Sequence, residues 1–259
     1  MLILLPPSES KHQPRRGRPA DARRWSFPGL APVRTQVADA LAKVSRSPDA
    51  PALLGVSPLL LNDIARNLAL NTAPAAPAAQ IYTGVLFDAL DLASLEADAR
   101  RRANRSIIVM SALYGALRLT DRIPAYRLAM GVDLPGVGSL ARCWRPVLSE
   151  VLPPVAGRGL VLDCRSAPYA AAWPVSAELA DRWVHVVVPG ASHWAKHTRG
   201  LVARRVCELG VSARTPQRLA EELSGSFVTA LCPPARPGRA WTLEATPRGS
   251  AVHDGGGQR

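Results

Sequence analysis

The stretch LILLPPSESK, residues 2–11, is a short apolar run that ends in prolines and polar side chains. The same pattern returns in SIIVMSALYG (106–115), GLVLDCRSAPY (159–169) and WVHVVVPGASHWAK (183–196). Each apolar run has the length and β-branched composition of a buried strand, and each polar or glycine-containing end is typical of a loop. The four segments therefore predict the strands of a central β-sheet.

Helical patterns separate these strands and cover residues 37–44, 59–70, 95–105 and 201–209. Strands and helices in this order predict the α/β (or α+β) class, with a central mixed sheet flanked by helices. We expect one compact domain over residues 1–246. The remaining residues, 247–259, have no periodicity and contain three consecutive glycines, which predicts a flexible tail.

Length and composition restrict the class of protein. The chain has 259 residues, 47% of them hydrophobic, and can bury a sizeable core. Its apolar runs are far shorter than the roughly 20 residues that cross a bilayer, and the first ten residues lack the basic segment of a signal peptide. Four widely spaced cysteines without a CxxC pair suit free thiols. We therefore expect a cytoplasmic protein with no membrane partner.

The positive charge is large and comes almost entirely from arginine. The formal net charge is +12, and lysine occurs only as Lys11, Lys43 and Lys196. Because the guanidinium fork suits phosphate and carboxylate, this charge predicts an anionic partner. A GC-rich genome that encodes arginine at ordinary surface positions is the alternative explanation.

Candidate site residues follow the predicted strands. Ligands of open α/β sheets bind beyond the carboxyl ends of the strands. If the four strands are neighbours, their ends bring together Ser8, Lys11, Ser111, Tyr114, Arg118, Asp163, Arg165, Tyr169, His193, Lys196 and Arg199. Cationic, hydroxylic and aromatic groups of this kind suit phosphate, sugar and base contacts better than an apolar ligand.

The stretch SALYGALRLTDRIPAYRLAMG, residues 111–131, is the densest in such groups, with two tyrosines and three arginines. It either contributes to a site or is a surface loop whose arginines pair with Asp121 and whose tyrosines pack on the sheet. Further along the chain, an apolar stripe predicts a helix that begins between Ser192 and Lys196. Its first-turn amides, with Lys196 and Arg199, would bind an anion, unless this is simply a solvated helix start.

Motifs for metal binding or catalysis are weak. His193 and His197 lie four residues apart, but no third ligand accompanies them, so we predict no metal and no cofactor. Ser111 and Ser166 follow strands, yet neither lies in a G-x-S-x-G elbow, and a Walker A motif is absent from the sequence. LPGVGSLARCW, residues 134–144, looks like the hairpin and second helix of a helix-hairpin-helix element, or is a plain turn.

Taken in order, several segments resemble the YaaA peroxide-stress protein family. MLILLPPSESK resembles the opening of the family, IYTGVLFDAL its Y-x-G segment, and SALYGALRLTDRIPAYRLAMG its central signature. CRSAPY and KHTRG correspond in position, so the resemblance extends from Met1 to about Thr246. The opening loop departs from the commoner S-P-A-K-x, which leaves the alignment at Lys11 open.

The resemblance implies a role in surviving hydrogen peroxide by limiting free iron. It also implies DNA binding through a positively charged cleft with a helix-hairpin-helix-like element. Carried over residue by residue, that cleft comprises Lys11, Tyr82, Tyr114, Arg118, Tyr126, Arg127, Arg165, Lys196 and Arg199.

Our leading hypothesis is a DNA-binding protein without catalysis or sequence preference that contacts backbone phosphates, so that replacing both Arg118 and Arg127 weakens binding. The alternative is an enzyme that acts on a nucleotide or phosphorylated small molecule in the same cleft. A deep pocket with a shifted lysine or aspartate pKa favours the enzyme, and a broad basic groove favours the DNA-binding protein. Iron handling through His193 and His197 is a third hypothesis.

Overall fold

The computed structural model describes residues 1–190, 192–210 and 213–249. The strands are β1 (Leu2–Leu5), β2 (Ala76–Pro77), β3 (Ile107–Ser111), β4 (Gly115–Arg118), β5 (Arg122–Ile123), β6 (Asp133–Leu134), β7 (Gly138–Ser139), β8 (Val161–Asp163), β9 (Trp183–Val187), β10 (Phe227–Cys232) and β11 (Trp241–Pro247). The α-helices are α1 (Ala31–Ser45), α2 (Ala50–Leu53), α3 (Leu61–Ala65), α4 (Ala78–Ile81), α5 (Val85–Leu90), α6 (Ala97–Ser106), α7 (Leu140–Ala156), α8 (Ala167–Ala172), α9 (Ser192–Leu209) and α10 (Pro216–Leu223).

A seven-stranded mixed sheet is built in the order β10-β11-β9-β8-β1-β3-β4. The five inner strands are parallel, while β4 and β10 pair antiparallel at the two edges. The four strands predicted from the sequence are β1, β3, β8 and β9, and they are consecutive in this sheet. The predicted class and the central mixed sheet are therefore confirmed.

The central strands β1 and β3 are almost wholly apolar because helices and loops cover both faces of the sheet there. All four residues of β1 and all five of β3 are buried. One hydrophobic cluster runs from Leu2 to Ala245, so the described chain forms a single compact domain. β11 ends at Pro247, beyond the predicted domain boundary, and most of the predicted tail, residues 250–259, lies outside the described residues.

Three of the four predicted helical ranges are found in α1, α6 and α9. The range 59–70 is instead broken into a 3₁₀ turn at Pro58–Leu60, α3, and a second 3₁₀ turn at Arg66–Ala69. The edge strands β4 and β10 and the inner strand β11 were not predicted. In β10 buried or partly buried residues alternate with exposed ones. Such a short alternating run predicts a strand less strongly than a continuous apolar run does.

The predicted helix-hairpin-helix element is only partly matched. β6 and β7 form a small antiparallel hairpin, and α7 follows it directly. Residues 124–129, which precede the hairpin, contain no helix, so the first helix of the element is missing from this segment. Among the helices of the described ranges, none is both long enough and apolar enough to span a membrane.

Helices α5 and α9 pack closely against each other at Gly200. A Cβ atom at this position would overlap the carbonyl oxygen of Leu86, which is backbone and cannot move aside. The two helices approach this closely only because residue 200 has no side chain. Their packing fixes the position of the first turn of α9 relative to the loop that leads into α5.

We expect Gly200→Ala to lower the free energy of unfolding by about 2–3 kcal/mol, because overpacking against backbone forces the two helices apart. Urea unfolding checks this value. Gly225→Ala is the matched control, since a Cβ there meets no atom within 4 Å, and it should change the free energy by no more than about 0.5 kcal/mol. Equal losses in the two variants would contradict the close packing.

Candidate functional site

A cavity of about 630 Å³ opens at the edge of the sheet where the inner parallel strands end. Its wall is formed by the loop 6–11 after β1, residues 83–87 at the start of α5, the segment 127–131, and the first turns of α8 and α9. This is the edge at which the sequence predicted the candidate residues to converge. The volume falls within the range typical of sites for small molecules and cofactors.

The charged side chains that line the cavity are mostly positive. The basic residues that line it are Lys11, Arg127, Lys196 and Arg199. Within the described residues, the one acidic side chain of the wall is Glu9. Four predicted cations therefore meet in one place, together with the candidate residues Ser8 and Tyr169. An arrangement with four cations and a single carboxylate favours an anionic ligand.

Lys11 lies at the inner end of this group. Its backbone forms a β-bridge with Tyr82, and its Nζ donates hydrogen bonds to the carbonyl oxygens of Ser8 at 2.7 Å and Glu9 at 3.4 Å. The Nζ is 4.3 Å from the ring centroid of Tyr126 and 5.6 Å from that of Tyr82. Within the described residues, no carboxylate lies within 4.0 Å of this amine.

Burial, and after it the neighbouring Arg127 guanidinium, lower the pKa of Lys11 to about 7, while Asp63 and Glu9 oppose the shift. The Tyr126 ring favours the ammonium form by roughly 1–2 kcal/mol, which corresponds to about one pKa unit. That stabilisation is smaller than the downward shift. The pKa of Lys11 therefore lies well below its usual value of 10.5, which makes the neutral amine accessible near neutral pH.

A chain of buried hydroxyl groups lies beneath Lys11. The Tyr82 and Tyr126 hydroxyls are 3.1 Å apart, and the Tyr126 hydroxyl is 2.8 Å from Ser111 Oγ. Ser111 Oγ also accepts a hydrogen bond from the backbone N–H of Tyr114 at 3.0 Å. Burial raises the pKa of Tyr82 and of Tyr126, so both hydroxyls stay protonated. Tyr82 and Tyr126 thus support Lys11 from below and do not line the cavity.

Tyr114 and Arg118 do not line the cavity either. The Tyr114 ring is buried between Trp25, at 4.9 Å, and Tyr126, at 5.3 Å. The Arg118 guanidinium lies 5.5 Å from the Phe27 ring and donates to a backbone carbonyl. The structure therefore separates Arg118 from Arg127, although both lie in the same stretch of sequence.

Arg165 is buried within the protein and has partners for its charge. Its Nε and Nη2 donate to the two carboxylate oxygens of Asp163 at 2.8 and 2.7 Å, and Nη1 and Nη2 also donate to the carbonyl oxygens of Tyr169 and Trp173. Burial works against ionisation of Asp163, but Arg165 nevertheless leaves its pKa below the usual range. These contacts attach α8 to the end of β8 and leave Arg165 outside the cavity wall.

Asp121 does not form the arginine pairs that the sequence suggested for residues 111–131. Its carboxylate accepts hydrogen bonds from the backbone N–H of Arg118 at 2.8 Å and from the N–H and hydroxyl of Ser26 at 3.0 and 2.9 Å. Arg34, which sequence reasoning missed, is buried beside this loop and donates to the carbonyl oxygens of Tyr114 and Ala116 at 2.9 Å. The loop is thus held in place mainly by backbone contacts.

Helix α9 begins at Ser192, as predicted from its apolar stripe. Residues of its first turns, Ala195, Lys196 and Arg199, line the cavity. His197 stacks on Trp194 with ring centroids 5.4 Å apart. Across the described part of the chain, no group of three or more His, Cys, Asp or Glu side chains is arranged to hold a metal ion.

Sequence reasoning also missed Glu9, Asp63 and the wall formed by residues 83–87. A local signal for this wall exists in the Tyr-Thr-Gly sequence before α5. Gly84 has a φ of 89°, which favours glycine, so it marks a turn that aims the start of α5 at the cavity.

Comparison with known proteins identifies the family. A family model described as peroxide stress protein YaaA matches residues 1–225. This chain belongs to the YaaA peroxide-stress protein family. A UPF0246 protein of Streptomyces coelicolor is 48% identical over 94% of this chain and 97% of its own length. UPF0246 proteins of Corynebacterium efficiens and Cereibacter sphaeroides are 35% and 31% identical, over 88% and 80% of this chain and 94% and 86% of their own lengths. The YaaA resemblance found in the sequence is thereby confirmed.

The lowered pKa of Lys11 predicts a pH-dependent stability for this YaaA-family protein. Between a folded pKa of about 7 and the ordinary value of 10.5, the unfolded chain binds more protons than the folded one, so stability rises with pH. We expect the unfolding free energy of the wild type relative to Lys11→Met to rise by about 1–2 kcal/mol from pH 7 to pH 9.

Urea unfolding at several pH values measures this difference. Lys43→Met, at an exposed lysine on α1, is the matched control and should differ from the wild type by a constant amount. A difference for Lys11→Met that also stays constant with pH would show that Lys11 is fully charged in the folded protein.

Proposed function

We propose that this YaaA-family protein acts in the response to peroxide stress by binding DNA without sequence preference, through backbone phosphates at the cavity. The observation that carries the proposal is the convergence of Lys11, Arg127, Lys196 and Arg199 on one wall that holds a single carboxylate, Glu9. The net charge of +12 supports it, because a positive surface attracts nucleic acid at long range.

The size of the cavity restricts how DNA can bind. A volume of about 630 Å³ cannot enclose a duplex, so the backbone would cross the mouth, where Lys196 is exposed and Arg127 and Arg199 are partly exposed. The cavity can receive one unstacked nucleotide. The first turns of α9 contribute Ala195, Lys196 and Arg199 to the same cavity, and a helix N-terminus favours a phosphate.

Replacing Arg127 and Lys196 together with alanine should weaken DNA binding and make the salt dependence of log Kd shallower by about two units, since each lost phosphate contact accounts for about 0.9. Fluorescence anisotropy of a labelled duplex, titrated at several salt concentrations, measures both quantities. The effect should be nearly the same for unrelated duplex sequences.

The double replacement of Arg101 and Arg218 is the control. Both are exposed, neither lines the cavity, and their loss changes the net charge by the same amount. Arg118→Ala tests the arginine that the sequence singled out but that lies outside the wall. Equal weakening by the control pair and the cavity pair would reject the cavity as the DNA site.

A second candidate function is an enzyme that acts on a nucleotide or another phosphorylated small molecule. The specific observation in its favour is a cavity of small-molecule size whose wall includes a lysine with a pKa of about 7. A pocket that contains a lysine with a shifted pKa favours an enzyme over a DNA-binding protein. DNA phosphates and free phosphates would use the same cations.

A thermal-shift panel of nucleoside monophosphates and sugar phosphates tests the second candidate. A ligand at a hundredfold excess over its Kd stabilises the fold by about 2.7 kcal/mol, which should raise Tm by about 5–10 °C. Arg199→Ala should reduce that rise. If no compound in the panel raises Tm, the second candidate fails.

We place either activity in the cytoplasm. Cys143, Cys164, Cys207 and Cys232 are all free thiols, and two of them are buried. Free thiols suit a reducing compartment.

A further inference from the structure

Lysine is rare in this chain, and most of it lies in one place. Of 32 lysines and arginines only three are lysines, yet two of these, Lys11 and Lys196, are among the 24 residues that line the cavity. Outside the cavity the chain has one lysine, Lys43, and its other basic residues are arginines. A guanidinium cannot lose its proton and act as a nucleophile, whereas an amine can. The two lysines of the wall are therefore its candidates for amine chemistry.

Lys11 is the lysine whose surroundings suit such chemistry. Its Nζ donates to the carbonyl oxygens of Ser8 and Glu9, and it rests on the face of the Tyr126 ring. These two hydrogen bonds account for both N–H bonds of a neutral amine, so the nitrogen lone pair is left for an electrophile. The lowered pKa of Lys11 supports the neutral form at physiological pH.

The same cavity contains a place for an anionic group. Arg127, Lys196 and Arg199 line it together with Lys11, and the first turns of α9 carry two of them. A phosphate bound by these cations would hold the rest of a small substrate within the same enclosed volume as the amine. Holding both reacting groups in one cavity is a major source of rate acceleration.

We propose that Lys11 Nζ is a nucleophile that forms an imine with the carbonyl group of an aldehyde that also carries a phosphate. The neutral amine attacks the carbonyl carbon, a C–N bond forms, and the carbonyl π electrons move to oxygen. Both amine hydrogens then leave with that oxygen as water, which completes the C=N bond without an oxidant or a reductant. This step extends the second candidate function and names its substrate class.

Reductive trapping tests the step on the wild-type protein. Glycolaldehyde phosphate is added with sodium cyanoborohydride, which reduces the imine to a stable secondary amine, and the modified residues are mapped by mass spectrometry. Because exposed lysines are almost entirely protonated at pH 7, we expect labelling at Lys11 to be at least about tenfold faster than at Lys43. Unphosphorylated glycolaldehyde should label Lys11 several-fold more slowly.

Two conservative variants are compared with the wild type. Lys11→Arg keeps the charge but removes the amine, so it should abolish the fast labelling. Lys43→Arg makes the same exchange at an exposed position on α1 and should leave that labelling unchanged. The mapping on the wild type does not depend on either variant folding.

The pH profile gives a second readout. The groups whose charges act on Lys11 are Arg127 and Arg66, which lower its pKa, and Asp63 and Glu9, which raise it. Labelling of Lys11 should increase from pH 6 to 8 and then level off. Glu9→Gln should move this profile to lower pH, because it removes a negative charge that favours the ammonium form.

Comparable labelling rates at Lys11 and Lys43, or an adduct on the N-terminal amine without one on Lys11, would overturn the proposal. If phosphate compounds without a carbonyl raise Tm while no Lys11 adduct forms, the imine proposal fails and the second candidate function stands. If no phosphate compound raises Tm and no Lys11 adduct forms, the imine proposal and the second candidate function both fail.

A duplex with one abasic site forms the other arm of the experiment, because its open sugar is an aldehyde flanked by phosphates. A Lys11 adduct with either probe supports imine formation. If an adduct forms with the duplex and not with glycolaldehyde phosphate, the substrate is an aldehyde within nucleic acid.

Discussion

The parallel pairing of β1 with β3 on one side and β8 on the other is the constraint on which the rest of the structure depends. Parallel strands end at the same edge of a sheet, so the loops that follow β1 and β8 emerge side by side. The next strand, β9, leads into α9, whose first turns line the same cavity. The pairings β1–β3, β1–β8 and β8–β9 are all parallel, so these strands end at the same edge. Side chains more than a hundred residues apart in the chain therefore meet there.

Two cations at this edge, the buried Arg165 and the partly buried Lys11, show how surroundings decide what a charged group does. Arg165 lies against the carboxylate of Asp163, so its charge is compensated and it holds α8 to β8. Lys11 lies among backbone carbonyls and aromatic rings, with Arg127 close enough to repel its charge. Without a carboxylate in contact, burial destabilises the charged form of Lys11 and lowers its pKa. Arg165 is thus a structural cation, whereas Lys11 is the amine for which we propose a chemical role.

The two proposed functions place different demands on the same wall. Backbone phosphates require positive charge, which Arg127 and Arg199 provide without any need for an amine. Imine formation requires an amine in its neutral form, and among the cations of the wall that property belongs to Lys11. Membership of the YaaA family, together with a cavity of single-nucleotide size, is compatible with either function and with both acting on one ligand.

The sequence by itself determined the fold class, four of the five inner strands, the start of α9 and the family, because continuous apolar runs and helical stripes are local signals. It also predicted that Lys11, Arg127, Lys196 and Arg199 belong to one site, and these four residues line one cavity. Only the tertiary structure decided that Arg118 and Arg165 lie outside the cavity wall and that residues 124–129 form no helix. It also decided the pKa of Lys11, since burial and the fields of Arg127 and Asp63 come from segments distant in the chain. Desolvation and charge pairing depend on distance in space, and the order of residues does not specify that distance.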